Sequence, residues 1–149
     1  MTVTEERLAS LRQLMAQANY DAFVVPRADE YLGEYIPLHN ERLRWISGFT
    51  GSAGMALVLR NRAAIFVDGR YTVQVRSQVA SDLFEYLHLA DAPQADWLAM
   101  VLPAGSTVAC DPRLHSLQWY EDTKNTLALA GVELVIDADN LIDRCWLDR

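Results

Sequence analysis

Several features are scarce in this sequence, and each scarcity excludes a class of protein. Only two cysteines occur among the 149 residues, Cys110 and Cys145, and neither lies in a C-x-x-C motif, so a disulfide scaffold is excluded. No apolar run reaches the about 18 residues that a transmembrane helix needs. The N-terminus, MTVTEERLASLRQLM, has early acidic residues and no hydrophobic segment of the kind that marks a secretory signal. These observations predict a cytoplasmic protein without a membrane partner.

Positive charge is also scarce. The chain has 13 Lys and Arg against 20 Asp and Glu, which gives a net charge of −7. Binding to a phosphate backbone depends on clustered cations, so nucleic acid is excluded as a main partner. Hydrophobic residues make up 51% of the chain, which is typical of a folded protein. A length of 149 residues suffices for one domain with its own core, and we assign residues 1–149 to a single domain.

The glycine spacing in WISGFTGSAGMALVL, residues 45 to 59, raises the question of a phosphate-binding loop. In a dinucleotide fingerprint the glycines follow a strand and open a helix, whereas here a short helix precedes them and a strand follows. The sequence also lacks the G-x-G-x-x-G, G-K-[ST], H-E-x-x-H and G-x-S-x-G motifs. The run therefore indicates a helix-to-strand connection in which the glycines allow positive φ angles and close backbone approach.

The hydrophobic pattern predicts an α/β fold: a six-stranded mixed sheet with one antiparallel hairpin and helices on both faces. Strands are predicted at 21–26, 55–60, 63–68, 84–89, 107–111 and 132–137. Asn61 and Arg62 would form a tight hairpin turn in which Asn61 takes a positive φ angle. Residues 27–41 are polar and aromatic and are expected to form a long surface loop.

Helical faces separate most of these strands. Thr2 and Glu5 form a capping box for the first helix, whose inward face is Leu8, Leu11, Met15 and Ala18 and which stops at Asn19. Further helices are predicted near 41–47, from Tyr71 through Val75 to Val79, and at 93–102. A helix capped by Ser116 and closed by Gly131 would turn inward the residues Leu117, Tyr120, Leu127 and Ala128.

Aspartates at strand ends are one candidate for chemistry. Asp68, Asp111 and Asp137 each end a predicted strand, and Asp21 starts one. Carboxylates gathered at one sheet edge could hold Mg²⁺ or Mn²⁺, but aspartate is also the ordinary residue of turns and caps. The histidines lie in three different elements, without the spacing of a local metal site: His39, His88 and His115. His88 is interpreted as a hydrogen-bonded core histidine.

The segment Asp68-Gly69-Arg70-Tyr71 is the most specific candidate. Gly69 allows a sharp turn, and Arg70 then stands at the N-terminal end of a helix, where the dipole disfavours a cation. Arg70 is therefore expected either to pair with Asp68 or to bind an acceptor in a ligand. A guanidinium suits a carboxylate or a peptide carbonyl.

Four stretches occur in this order: EYIPLHNERLRWISGFTGSAG, AAIFVDGRYTVQV, DWLAMVLPAGSTVACDP and NLIDRCWLDR. Together they closely resemble the N-terminal domain of cytosolic-type Xaa-Pro aminopeptidases (aminopeptidase P), in the wider creatinase and prolidase group. The resemblance covers nearly the whole chain, and SGFTGSAG followed by DGRY is its most specific part. The resemblance implies that the predicted α/β sheet has the creatinase N-terminal fold.

The resemblance implies a parent protein with a related second domain and a C-terminal "pita-bread" catalytic domain, both absent from this chain. That catalytic domain would bind two divalent metal ions, usually manganese, and remove the first residue of peptides that have proline second. This domain would carry no catalytic residue, metal or cofactor of its own. Its partners would be its own second and catalytic domains, the peptide substrate, and further copies in a homo-oligomer.

The resemblance also suggests roles for individual residues. The arginine of the DGRY motif contacts the substrate peptide in the family, and that position is Arg70. Tyr71, Trp45 and Asp68 are expected at the substrate entrance or at an interface. The last residues, from Asn140 onward, would lead into the second domain.

Other functions remain open at the level of sequence. The chain could be a free-standing interaction domain, which a continuing reading frame would exclude. It could also be a metal-dependent hydrolase or nuclease that uses Asp21, Asp68, Asp111 and Asp137. Creatine hydrolysis and dipeptide cleavage are alternative activities within the resembled group.

Overall fold

The structure is a computed structural model that describes residues 2–28, 36–51, 53–89 and 93–149. Within these residues the strands are β1 Ala22–Pro26, β2 Met55–Leu59, β3 Ala63–Val67, β4 Glu85–His88, β5 Thr107–Cys110 and β6 Glu133–Ile136. The α-helices are α1 Val3–Ala18, α2 Arg42–Ser47, α3 Thr72–Gln78, α4 Gln94–Val101, α5 Leu117–Leu129 and α6 Leu141–Cys145. The predicted strands are therefore confirmed to within one or two residues. Part of the predicted loop at 27–41 lies outside the described residues.

The six strands form one mixed sheet in the order β4-β3-β2-β1-β5-β6. β2 runs antiparallel to both of its neighbours, and the other adjacent pairs are parallel. β1, β2 and β3 are buried along their whole length, as expected for central strands covered on both faces. The predicted mixed sheet with a hairpin at β2–β3 is confirmed.

Helices cover both faces of the sheet, as predicted. The core on one face contains residues of α1, α2, α3 and α6, and the core on the other face contains residues of α4 and α5. The crossovers explain this division. The β3–α3–β4 and β5–α5–β6 connections move in opposite directions across the sheet, and right-handed crossovers in opposite directions place their helices on opposite faces.

The glycine run connects α2 to β2 as the sequence predicted. Gly48 ends α2 in the left-handed region, with φ of 86°, and its N–H donates to the carbonyl of Arg44 at 2.8 Å. A Cβ at Gly51 would collide with the ring of Phe49, which is buried in the core. The glycines therefore provide a helix stop and room for an aromatic ring, and they do not form a phosphate cradle.

The predicted positive φ of Asn61 is wrong. Among the described non-glycine residues, positive φ angles occur at Asn19 and Asn140. The hairpin register places Val58 opposite Ala63, so four residues lie between the last paired residues of the two strands. Within them, Leu59 N–H donates to the carbonyl of Arg62. Loops of this length are most often built on a turn that needs no left-handed residue.

The inward face of α5 also differs from the prediction. Leu117 and Ala128 are exposed, whereas Leu127 and the unpredicted Thr123 are buried and Tyr120 is half-buried. The helix packs on α4 and on the edge strand β6, so only a narrow stripe of its surface meets the core. Leu117, in the first turn, lies outside that stripe. The helix bounds and the Ser116 cap are confirmed, and so is the closure at Gly131, which has a φ of 75°.

The described helices are all too short or too polar to cross a membrane.

Candidate functional site

The carboxyl edge of the sheet is the natural place to look for a site. The five mutually parallel strands all end there, and polar residues outside the carboxyl ends of such strands often bind ligands. Asp68, Asp111 and Asp137 follow β3, β5 and β6 and lie at this edge, as predicted. Asp21 precedes β1 and therefore lies at the opposite edge, where its carboxylate accepts from Thr107 N–H at 2.8 Å.

The four aspartates do not form one metal site. β3 and β5 are separated by β2 and β1, so three strand spacings of about 4.8 Å place Asp68 about 14 Å from Asp111. A two-metal centre needs ions about 4 Å apart. Within the described ranges, no three His, Cys, Asp or Glu side chains are arranged to hold a metal ion. The strand order thus contradicts the hydrolase built on Asp21, Asp68, Asp111 and Asp137.

Asp111 and Asp137 accept hydrogen bonds from the segment that begins α6. Asp111 is fully buried, and it accepts hydrogen bonds from Arg113 and from the side chain of Asn140. Asp137 is also buried and accepts from Leu141 N–H at 3.0 Å, at the start of α6. Burial acts to raise the pKa of Asp111, but these hydrogen bonds outweigh it and its pKa lies below the ordinary value. Both carboxylates therefore have structural partners.

Asp137 provides a pH-dependent test of this arrangement. Burial raises the pKa of its carboxyl above the usual 3.8, and its hydrogen bonds oppose the shift only partly. Because the pKa of Asp137 is raised in the folded state, ionisation of this carboxyl destabilises the fold. The destabilisation is absent below pH 3.8, grows as the pH rises, and is complete above the folded-state pKa. We expect Asp137→Asn to raise the melting temperature at pH 7 and to have no effect below pH 3.8. Asp148→Asn, at an exposed position that does not act on the pKa of Asp137, is the control, and an equal gain there would show that net charge alone is responsible.

The turn from Asp68 to Tyr71 follows β3 and opens α3. Its residues Gly69–Tyr71 form a single 3₁₀ turn, and the Asp68 carboxylate accepts from the backbone N–H of Arg70 at 2.9 Å. The same carboxylate accepts from Arg70 Nη2 at 2.8 Å and from Nε at 3.2 Å. The hydrogen bond from Arg70 holds the pKa of Asp68 below its usual value. The structure thus shows Arg70 paired with Asp68, which is one of the two alternatives predicted from the sequence.

Arg70 is nevertheless accessible. Its side chain is 69% exposed, against 33% for Asp68, and its guanidinium lies 5.2 Å from the ring centroid of Tyr71. Tyr71 in turn packs against the core and meets the ring of Phe49 edge-on at 5.6 Å. Asp68 and Tyr71 therefore support Arg70 from the sheet edge and from the core. This places three of the four predicted site residues in one short turn.

A side-chain cluster ties the glycine connection to α3. The backbone N–H of Thr50 donates to Gln78 Oε1 at 3.0 Å, and Gln78 Nε2 donates back to the Thr50 hydroxyl at 2.7 Å. Gln74 Nε2 also donates to that hydroxyl, at 3.1 Å. These contacts hold the glycine connection against the helix that Arg70 opens. Local sequence patterns carry no signal for them, since 24 and 28 residues separate the partners.

Trp45, the fourth predicted residue, lies elsewhere. It is buried in the core, where its ring stacks on Trp146 at 5.7 Å and the Arg7 guanidinium lies 4.8 Å from its centroid. Trp45 lines a groove of about 440 Å³ together with Arg7, Leu38, Glu41, Arg44, Gly48, Thr50 and Trp146. Trp45 is thus a core residue with one edge in a groove, and it has no contact with the Arg70 turn among those described.

His88 lies in a strand and has a hydrogen-bond partner, as predicted, but it is only half-buried and stands beside the Arg70 turn. It is half-buried at the end of β4, and the parallel register places it opposite Val67, next to Asp68. Its Nε2 lies 3.3 Å from the hydroxyl of Thr72. The β3–α3–β4 crossover was the available signal, because strands joined in this way are commonly neighbours in the sheet.

Neither cysteine is a nucleophile at neutral pH. Burial raises the pKa of Cys110 to about 12 and that of Cys145 to about 11, and both thiols are free. The thiolate, which is the reactive form, is then a negligible fraction. His39, in a 3₁₀ turn, and His115 lie apart from His88, in separate elements as predicted.

Comparison with known proteins identifies the fold. The model of the creatinase/prolidase N-terminal domain matches residues 7–145. The chain belongs to this family. Family membership agrees with the glycine connection and the DGRY turn, the two features on which the resemblance was based.

Relatives of this creatinase-type domain are aminopeptidases. The chain is 37% identical to human Xaa-Pro aminopeptidase 2 over 143 residues, 96% of this chain and 21% of the relative. It is 37% identical to aminopeptidase P2 of Arabidopsis thaliana over 153 residues, 98% of this chain and 21% of the relative. The chain thus spans about one fifth of the length of the curated relatives it matches.

Solved structures agree with this family assignment. The X-prolyl aminopeptidase of Caenorhabditis elegans, described as a cytosolic enzyme with a di-nuclear active site, superposes with a TM-score of 0.91 at 30% identity. That match covers 100% of this chain and 26% of the nematode chain. The N-terminal domain of peptidase PepQ from Mycobacterium tuberculosis shares the fold, with a TM-score of 0.69 at 22% identity.

Proposed function

We propose that this creatinase-type domain is the N-terminal, non-catalytic module of a Xaa-Pro aminopeptidase that removes the first residue of peptides with proline second. The relatives that support the proposal carry the name Xaa-Pro aminopeptidase or aminopeptidase P and extend well beyond this domain. In the parent protein the module would pack against a second domain and a catalytic domain and would help to shape the substrate entrance. The parent would assemble as a homo-oligomer in the cytoplasm, a location supported by the cytosolic nematode enzyme.

The hydrolytic chemistry would belong to the catalytic domain. Two divalent metal ions there, most simply manganese, would supply Lewis-acid stabilisation of developing negative charge. This agrees with the di-nuclear active site of the nematode relative. The residues of this chain would contribute to the reaction by binding and orienting the peptide.

Arg70 carries the proposal. Its side chain is 69% exposed at the carboxyl edge, and Asp68 holds its Nε and Nη2 groups while the turn presents it to solvent. A guanidinium held in one orientation loses little entropy when it donates to a peptide carbonyl or carboxylate. Arg70 is therefore proposed as the substrate-binding residue of this domain, with Asp68 and Tyr71 as its supports.

The test is Arg70→Ala in the full-length enzyme, assayed on tripeptides with proline second. Loss of a charge-assisted hydrogen bond should lower kcat/KM by about 5- to 150-fold, equivalent to about 1–3 kcal/mol, mainly through a higher KM. Arg76→Ala removes an exposed arginine from α3, the helix that follows the Arg70 turn, and should leave kcat/KM unchanged. Unchanged kinetics for Arg70→Ala would contradict the proposed role, and equal losses for both variants would indicate a general effect of charge.

A further inference from the structure

A hydrogen-bond chain links β4 to the turn that carries Arg70. The hydroxyl of Thr72 donates to the carbonyl of Gly69 at 3.2 Å, and His88 Nε2 lies 3.3 Å from the same hydroxyl. A hydroxyl has one proton, and Thr72 gives it to Gly69. Its oxygen must then accept from His88, which assigns the Nε2-protonated form of the imidazole.

Polar contacts hold the peptide unit at the start of this turn. A Cβ added at Gly69 would meet no atom within 4 Å, so the backbone there is open on that side. Asp68 holds the first part of the turn through the N–H of Arg70, and Thr72 holds the carbonyl of Gly69 from the other side. The peptide unit that joins Gly69 to Arg70 is therefore bound at both of its polar groups.

The position of His88 follows from the sheet and not from the turn. β3 and β4 pair in parallel with Val67 opposite His88, so the imidazole projects from the strand next to Asp68. The turn is joined to β3 through the chain, and the hydrogen bond between His88 and Thr72 links it in addition to β4. The direction of the Arg70 side chain depends on the same peptide unit that this bond holds.

We propose that His88 and Thr72 are positioning residues that hold the Gly69 carbonyl and thereby orient Arg70 toward the peptide substrate. The proposal rests on the substrate-binding role of Arg70 given above. It adds a second support: besides the Asp68 carboxylate, an imidazole of β4 and a hydroxyl of α3 hold the turn that carries Arg70. Neither residue touches the substrate, so their effects must pass through Arg70.

Two matched pairs of variants test this in the full-length enzyme. Thr72→Val removes the hydroxyl with little change of shape, and Thr72→Ser keeps it. His88→Leu removes the donor from the other side, and His88→Gln keeps an N–H at a similar reach. We expect Thr72→Val and His88→Leu each to lower kcat/KM by about three- to tenfold, the loss of one neutral hydrogen bond. Thr72→Ser and His88→Gln should stay within about twofold of the wild type.

Non-additivity separates positioning from general damage. In an Arg70→Ala background, Thr72→Val and His88→Leu should have no further effect on kcat/KM, because the side chain that they orient is gone. His39→Leu, which removes an exposed imidazole elsewhere, should leave the kinetics unchanged in both backgrounds. If Thr72→Val does not fold, His88→Leu tests the same hydrogen bond from its partner in β4.

The outcomes distinguish the positioning role of His88 and Thr72 from the substrate-binding role of Arg70. Unchanged kinetics for Arg70→Ala would contradict the substrate-binding role and the positioning role together. A loss for Arg70→Ala with additive losses for Thr72→Val and His88→Leu, or with no loss for either, would overturn the positioning role alone.

Discussion

Asp143→Ala is expected to lower the free energy of unfolding by about 3–5 kcal/mol, because it leaves the buried Arg42 guanidinium without its ion-pair partner. Arg42 begins α2 with a side chain only 5% exposed, and Asp143 lies in α6. The pair is bidentate, with Nε to Oδ1 at 2.7 Å and Nη2 to Oδ2 at 3.0 Å. Removing the carboxylate leaves the guanidinium in the interior without its counter-charge.

Denaturation in urea at pH 7, followed by circular dichroism, measures this loss. Asp148→Ala removes an exposed carboxylate five residues along the chain and should change stability by less than about 0.5 kcal/mol. The double variant Arg42→Met with Asp143→Leu should recover much of the loss, because an apolar pair of similar volume replaces the ion pair. If Asp143→Ala lowers the free energy of unfolding no more than Asp148→Ala does, solvent reaches Arg42 and the ion pair does not stabilise the fold.

Gly48→Ala is expected to lower the free energy of unfolding by about 2–5 kcal/mol. Two costs add at this position. The φ angle of 86° lies in the left-handed region, which costs an L-residue about 1–2 kcal/mol. The new Cβ would also lie 2.9 Å from the backbone carbonyl oxygen of Gln78, and backbone cannot move aside as a side-chain end does, so overpacking adds about 1–3 kcal/mol.

Gly105→Ala is the matched control, since it isolates the first of these costs. Gly105 has a similar φ of 93°, but a Cβ there would meet nothing within 4 Å. The Gly105→Ala variant should therefore lose only about 1–2 kcal/mol of unfolding free energy in the same urea titration. Equal losses at the two positions would contradict the close approach of the glycine connection to the end of α3. A larger loss at Gly48 would mean that this connection and α3 are packed as one unit.

The Gly48 variant also bears on the proposed site. Gln78, whose carbonyl would be pushed, holds Thr50 through its side chain. The same helix begins directly after the Arg70 turn. A displaced α3 would therefore shift Arg70 and Thr72 relative to the sheet.

Much of the fold could be predicted from local patterns. The strand positions followed from short apolar segments, and the stops at Asn19 and Gly48 followed from residues that tolerate left-handed backbone. The errors arose where depth of burial depends on a neighbouring element. Leu117 has the right spacing to face inward, yet α5 lies on an edge strand and leaves it exposed.

The candidate site shows the same division. The sequence by itself determined that Asp68 and Arg70 lie within reach of each other, because a single glycine separates them, and it left open whether they pair, as the structure shows that they do. Only the tertiary structure decided that His88 stands beside that turn, that Asp21 lies at the opposite edge and that Asp143 reaches Arg42 across 101 residues. These contacts follow from strand order and crossover direction, which arise from packing the whole sheet and leave no mark in the residues next to each partner.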